Sequence, residues 1–307
     1  MRCALETDCD HFNQLADEAM HLLSAENGRI GNLDIEGRLV NVEPKGQAVI
    51  IGDLHGDLES LVDILKGSSF LERMNRNHDG LMIFLGDYGD RGAYSVEIYY
   101  VVLRLKLLFP EQVVLMRGNH ELFWAHGGQD DLAPSPHDMP VQFQARFGER
   151  GDEAYGKIRN LFEHLYSALL VQERYLMIHG GLSEKARQPE DFAYAHASYP
   201  KVRLLEDMLW SDPDDSINGV RESPRGAGKL FGENVTENVL GRFGVKILIR
   251  GHEPCEEGYK INHSGRVLTL FSSKGSPYFN SHGAYLEVDL SRRFDNAKQL
   301  VPYTHKF

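Results

Sequence analysis

Short, unbroken apolar runs at 48–51, 81–85, 113–116, 175–178 and 247–249 each stop just before a polar block containing glycine. Runs of this length, rich in β-branched or aromatic residues, predict buried strands. Between them the spacing turns helical. Phe12, Leu15, Ala19, Leu22 and Leu23 recur as one face of an amphipathic helix over 11–26. Asp57 is placed to cap a helix through Leu65, and Ser95 to cap another that Pro110 stops after Phe109. The stretch 33–42 alternates around Gly37 as a hairpin, 151–170 reads as helical in its second half, and 233–242 reads as a helix closed by Gly244. The last third, 267–273 and 284–290, reads as strand with no helix between. Residues 127–140 carry Gly, Asp and Pro in quantity and predict a surface loop. The pattern predicts an α/β sheet packed against a second, more antiparallel one.

Composition narrows the setting. With 307 residues and 42% hydrophobic content, the chain can bury a large core. No repeat or linker divides it, so a single catalytic domain over 1–307 is expected. Residues 1–47 form an N-terminal helix and hairpin, and 48–290 the core. No apolar stretch reaches the ~18 residues a membrane span needs. The N-terminal residues include Glu6 and Asp8 and no apolar core of a secretory signal. Cys3, Cys9 and Cys255 are an odd, sparse set, which suggests a reduced, cytoplasmic setting rather than a disulfide framework. The net charge of −12 argues against nonspecific binding of nucleic acid or an anionic membrane. A phosphate site here must draw its positive charge from metals and a few arginines.

The blocks after the runs supply candidate chemistry. They read Gly52-Asp53-Leu54-His55-Gly56, Gly86-Asp87, Gly118-Asn119-His120-Glu121, His179-Gly180-Gly181 and Arg250-Gly251-His252-Glu253. Residues beyond strand C-termini form the sites of open α/β sheets. Asp53 and His55, two apart on extended chain, point the same way and can reach one ion. Asp87 can bridge two ions, one oxygen on each. Asn119, His179 and His252 complete the second. A lone Gly-Asp or His-Gly-Gly after a strand is ordinarily a turn; five such blocks in order are hard to produce that way. Oxygen and imidazole ligands without thiolate suit manganese, iron or zinc, with manganese the first expectation. Two ions ~3.5–4 Å apart clamp a phosphate and lower the pKa of a shared water toward ~7, making it the nucleophile. Arg91, on a loop with Gly89 and Gly92, and Arg225, in Ser223-Pro224-Arg225-Gly226, carry planar forks suited to phosphate. His120 can protonate the leaving oxygen, and Asp90 can orient its imidazole.

The first three blocks, with Gly86-Asp87-Tyr88-Gly89-Asp90-Arg91-Gly92 extending the second, resemble the three-part signature of calcineurin-like metallophosphoesterases. Leu209-Trp210-Ser211-Asp212-Pro213, Arg225-Gly226 with Phe231-Gly232, Ile249-Arg250-Gly251-His252-Glu253 and His179-Gly180-Gly181-Leu182-Ser183 are similar to later blocks of the PPP serine/threonine phosphatases. The resemblance implies two packed β-sheets flanked by helices. It implies Asp53, His55 and Asp87 at one metal, and Asp87, Asn119, His179 and His252 at the other. It also implies phosphate binding by Arg91, Arg225 and Asn119, and an acid role for His120 with Asp90. Trp210 is expected beneath the site, and Asp212 to orient a ligand histidine. The chain resembles a compact prokaryotic or archaeal-type member.

Three departures stand out. Gly89 replaces a bulkier family residue, which suggests a more mobile Asp90 loop. Ser272-Ser273-Lys274-Gly275-Ser276-Pro277-Tyr278 replaces the family's Ser-Ala-Pro-Asn-Tyr, leaving Tyr278 two positions from the active-site tyrosine. The segment 124–155 is longer than usual and is expected to overhang the metals. The function implied is hydrolysis of phosphoserine and phosphothreonine monoesters in a phosphoprotein or phosphopeptide. A dinucleoside polyphosphate hydrolase, a broad phosphoesterase that includes phosphotyrosine, and a non-catalytic phosphoprotein-binding module are the alternatives.

Overall fold

Three of the apolar runs lie side by side as the parallel strands Gln47–Ile51, Leu81–Phe84 and Val113–Leu115. The computed structural model describes residues 1–74, 79–122, 124–126, 129–132 and 134–307. Ala284–Asp289 and Thr304–Lys306 extend this sheet antiparallel past Gln47–Ile51. The other two runs, Tyr175–Met177 and Ile247–Arg250, are parallel neighbours in an eight-stranded sheet. That sheet begins with the meander Gly28–Ile30, Leu33–Glu36 and Leu39–Val42 and ends with Val267–Leu270 and Tyr259–Asn262.

Side-chain alternation explains why the runs are apolar throughout. Tyr175, Met177, Ile247 and Ile249 join Ile50, Ile83 and Val114 in a core shared by both sheets. Leu176, Ile178 and Leu248 point the other way, into a second cluster with Leu205, Met208, Val235 and Val239. Those four belong to the helices Leu204–Trp210 and Glu233–Arg242. Successive strand residues face opposite sides, so a strand covered on both leaves no place for polar alternation. The helix Cys9–Ala25 buries Phe12, Leu15, Ala19 and Leu23, and Asp8 caps it by accepting from His11 N at 2.8 Å. Asp57 caps Leu58–Gly67 in the same way, through Ser60 N at 3.0 Å.

Three local expectations change. Ser95 is not a cap: the helix Ser95–Leu108 starts on it, and its hydroxyl accepts from Asp90 N at 3.0 Å instead. The helix expected late in 151–170 occupies Gly151–Phe162, and Ala168–Val171 is a strand between Leu39–Val42 and Tyr175–Met177. Ala and Leu suit a helix, but pairing on both sides overrides that preference. Within 127–140, Gln129–Leu132 pairs with Trp124–His126 and a helix begins at Met139. Gly127, Gly128 and Ala133 of that stretch lie outside the described residues. No helix among the described residues is long and apolar enough to cross a membrane.

Candidate active site

Both sheets deliver their strand ends to one buried crevice. Asp53, His55, Asp87, Asn119, His179 and His252 are each no more than 6% exposed. Asp87 stands at the centre. Its Oδ2 lies 3.4 Å from His55 Nε2, and its Oδ1 lies 3.4 Å from His179 Nε2. Asp53 Oδ2 is 3.7 Å from His55 Nε2. Asn119 Oδ1 is 3.0 Å from His179 Nε2 and 2.8 Å from His252 Nδ1. One carboxylate thus turns an oxygen toward each of two ligand groups, His55-Asp87-His120 and Asp87-His179-His252, each with donor atoms within 4.8 Å.

Hydrogen bonds fix where the imidazole protons sit. His55 Nδ1 donates to Gly89 O and His179 Nδ1 to Leu85 O, both at 3.0 Å. When the rings are neutral, each Nε2 therefore turns a lone pair toward carboxylate or amide oxygens. Acceptors facing acceptors in a buried site repel unless positive charge lies between them. A proton can supply that positive charge in place of a cation. Burial lowers His179, but Asp87 and Asp53 outweigh it and push it up to about 9. Burial raises Asp53 to about 6 despite the attraction of His179. His55, lowered to about 3 by burial and then by His120, stays neutral as a ligand must. The donor set fits two divalent cations sharing Asp87.

The backbone around these ligands is held in unusual shapes. His55, Asp87, Asp90, Arg91 and His252 all have φ between 44° and 75°. Each non-glycine residue there costs roughly 1 kcal/mol or more, a cost that the surrounding structure must offset. Glu121 supplies much of that support. Its Oε2 accepts from Asp87 N and Gly118 N, both at 2.9 Å, and its Oε1 accepts from Tyr88 N at 3.1 Å and Tyr99 Oη at 3.0 Å. Burial and then the Asp87 charge push Glu121 up to about 7. Gly118 admits this packing: a Cβ there would sit 2.1 Å from Asp87 Oδ1.

Arg91, Asn119, His120, Arg225 and Trp210 line one cleft of about 290 Å³ above the ligands. His120 Nδ1 lies 2.7 Å from Asp90 Oδ2, and its Nε2 is 3.2 Å from Arg91 Nη2. By distance alone His120 could serve as a ligand, at 4.0 Å from Asp87 Oδ2. Both of its nitrogens are otherwise engaged. Burial of Asp90 is outweighed by hydrogen bonds from His120 and His137, which hold its carboxyl below the usual range. Arg225 Nε pairs with Asp212 Oδ2 at 2.6 Å, and Asp212 Oδ1 takes Arg250 Nη2 at 3.0 Å.

Several readings shift in detail. Asp212 serves Arg225 and Arg250 more closely than it serves His252, whose Nε2 is 3.9 Å away. Trp210 lines the cleft as well as packing edge-on against His252. Gly89 makes room for Met139, whose Sδ would lie 2.5 Å from a Cβ there, and Asp90 is tied to Ser95, Asp138 and Met139. Tyr278 does reach the site: its hydroxyl accepts from Arg91 Nη1 at 2.7 Å. Sequence reasoning assigned no role to Glu121 or His137. The motif position was the only signal for the first, and nothing in periodicity marked the second.

Residues 47–256 match the family described as calcineurin-like phosphoesterase. The chain belongs to that family. Membership implies a two-metal site, and the two His/Asp groups are able to hold metal. Among curated relatives, a probable serine/threonine-protein phosphatase of Encephalitozoon cuniculi is 34% identical over 272 residues, 87% of this chain and 55% of the relative. A PP2A-like serine/threonine-protein phosphatase of Candida albicans is 32% identical over 249 residues, 80% and 56%. The chain thus spans about half the length of those two relatives. Its fold matches that of a Saccharomyces cerevisiae serine/threonine phosphatase with similarity to human PP5. The TM-score is 0.75 at 21% identity, covering 98% of this chain and 89% of the other.

Proposed function

We propose that this chain is a single metallophosphatase domain that hydrolyses phosphoserine and phosphothreonine monoesters in proteins. The observation that carries the reading is the Asp87 carboxylate turned toward two ligand groups beneath a cleft that also holds Arg91, His120 and Arg225. The names of the curated relatives support the substrate class.

Asp53, His55 and Asp87 would hold one divalent cation, and Asp87, Asn119, His179 and His252 the other. Manganese is the expected metal, with iron or zinc as alternatives. Bound there, the pair supplies Lewis acidity toward phosphoryl oxygens and toward water. Arg91, Arg225 and the Asn119 amide bind the phosphate. The Arg91 contact with Nε2 requires a neutral His120 whose proton sits on Nδ1, facing Asp90. An incoming phosphate draws the guanidinium away, and a second proton can then occupy Nε2. His120 gives that proton to the departing serine or threonine oxygen while Asp90 holds the ring. Asp90, buried and below the usual carboxylate range, remains an acceptor throughout.

The test is turnover of phosphoserine, phosphothreonine and phosphotyrosine peptides and diadenosine tetraphosphate, with and without added Mn. Metal-dependent release from the first two, at least tenfold above the others, supports the reading. Preference for the dinucleotide, or no metal-dependent release at all, overturns it.

A further inference from the structure

Asp90 is shared. His120 takes one side of its Oδ2 at 2.7 Å, and His137 Nδ1 approaches the same oxygen at 3.4 Å. The other oxygen, Oδ1, accepts from Asp138 N at 2.9 Å and Met139 N at 2.7 Å. Three successive residues, 137–139, thus wrap the carboxylate that orients the proposed acid. The same segment holds the neighbouring arginine. Asp138 Oδ1 accepts from Arg91 N at 3.0 Å, and Ser135 O accepts from Arg91 Nη2 at 3.3 Å.

His137 is itself oriented. Tyr155, buried on the helix Gly151–Phe162, has its hydroxyl 3.1 Å from His137 Nε2. A phenol donating to Nε2 leaves the imidazole proton on Nδ1, pointed at Asp90. The chain of donors runs Tyr155 to His137 to Asp90, where it meets the donor from His120. A merely space-filling histidine would not need both of its nitrogens aligned this way. Placing the reacting groups to within a fraction of an ångström is where such a partner acts on rate.

Building on the phosphatase reading above, we infer that His137 is a positioning residue of the reaction. It acts through Asp90 to keep His120 aimed at the leaving oxygen. The 134–142 segment is therefore part of the acid's framework, beyond any part it plays in admitting substrate.

The experiment compares H137A, H137N and Y155F with the unaltered Mn-loaded chain on two substrates. A phosphoserine peptide needs a proton on its leaving oxygen; p-nitrophenyl phosphate, with a stabilised leaving group, needs it far less. Asparagine keeps a donor near the Nδ1 position. In H137A, kcat on the peptide is expected to fall about tenfold further than kcat on the nitrophenyl ester, a fraction of a general acid's full contribution. KM for each is expected to stay within about twofold, H137N to recover most of the peptide rate, and Y155F to fall between. Melting temperatures report whether each variant is folded, and Y155F carries the test if H137A is not. Equal losses on both substrates, no loss, or an H137N as impaired as H137A would overturn the inference. An unaltered chain that hydrolyses neither substrate overturns the phosphatase reading itself, and this one with it.

Discussion

Tyr278 and Arg91 form one unit at the mouth of the site. The tyrosine hydroxyl accepts from Nη1 at 2.7 Å, and the guanidinium carbon lies 5.5 Å from the ring centroid. An arginine already held this way loses less freedom when it engages phosphate. Tyr278→Phe keeps the ring and removes the hydroxyl. It is expected to raise KM for a phosphopeptide about fivefold, roughly 1 kcal/mol, with kcat little changed. Steady-state kinetics with metal content measured in parallel would check this; an unchanged KM would remove Tyr278 from substrate binding.

Glu121 offers a stability test close to the ligands yet outside the set. Each of its oxygens accepts two donors, three of them backbone N–H groups of the Asp87 and Gly118 turns. Glu121→Gln changes one atom and turns an NH₂ toward two of those donors. The expected loss is about 3 kcal/mol, because buried donors are left without acceptors. Denaturant midpoints would measure it, and Mn affinity should fall as well, since the Asp87 turn loosens. A midpoint equal to the unaltered protein's would show that the cradle contributes nothing.

Asp212 anchors Arg225, the more exposed of the two arginines that line the cleft, through a 2.6 Å contact. Asp212→Asn removes the charge that aims the guanidinium, and KM is expected to rise about tenfold. Because the effect runs through Arg225, the double variant with Arg225→Ala should bind substrate no worse than Arg225→Ala alone. Additive losses in that cycle would place Asp212's contribution elsewhere.

Thiol reactivity gives a pH-dependent check on packing beside the site. Burial pushes the Cys255 thiol up to about 12 and raises that of Cys9, while Cys3 is exposed. The thiolate is the reactive form, so a raised pKa keeps Cys255 protonated and slow at neutral pH. Its alkylation rate should climb tenfold per pH unit well beyond pH 8. Mass spectrometry at pH 8 should find Cys3 modified first and Cys255 last, with the order lost in denaturant. Early modification of Cys255 would contradict the buried environment.

Much of this site was legible because its chemistry sits at strand ends. Unbroken apolar runs marked strands covered on both faces, and the residue after each run had little choice of location. That is why Asp53, Asp87, Asn119, His179 and His252 meet in one crevice. What could not be read is what depends on loops meeting in space. No spacing announces that His137 meets Asp90 across 47 positions, or that Arg91 meets Tyr278 across 187. The left-handed backbone at His55, Asp87, Asp90, Arg91 and His252 was equally invisible, since only the assembled cradle offsets its strain. The strand Ala168–Val171 was misread because its composition suits a helix and one of its two partners, Leu39–Val42, lies far away in sequence.

The central claim is that Asp87 is shared by two adjacent cations. Titrating the metal-free chain with Mn²⁺ and recording electron paramagnetic resonance tests it most directly. The account predicts two ions per chain with an exchange-coupled spectrum. In Asp87→Asn, coupling is lost and affinity falls at both positions. A single bound ion, or two ions whose spectra stay independent, would contradict it.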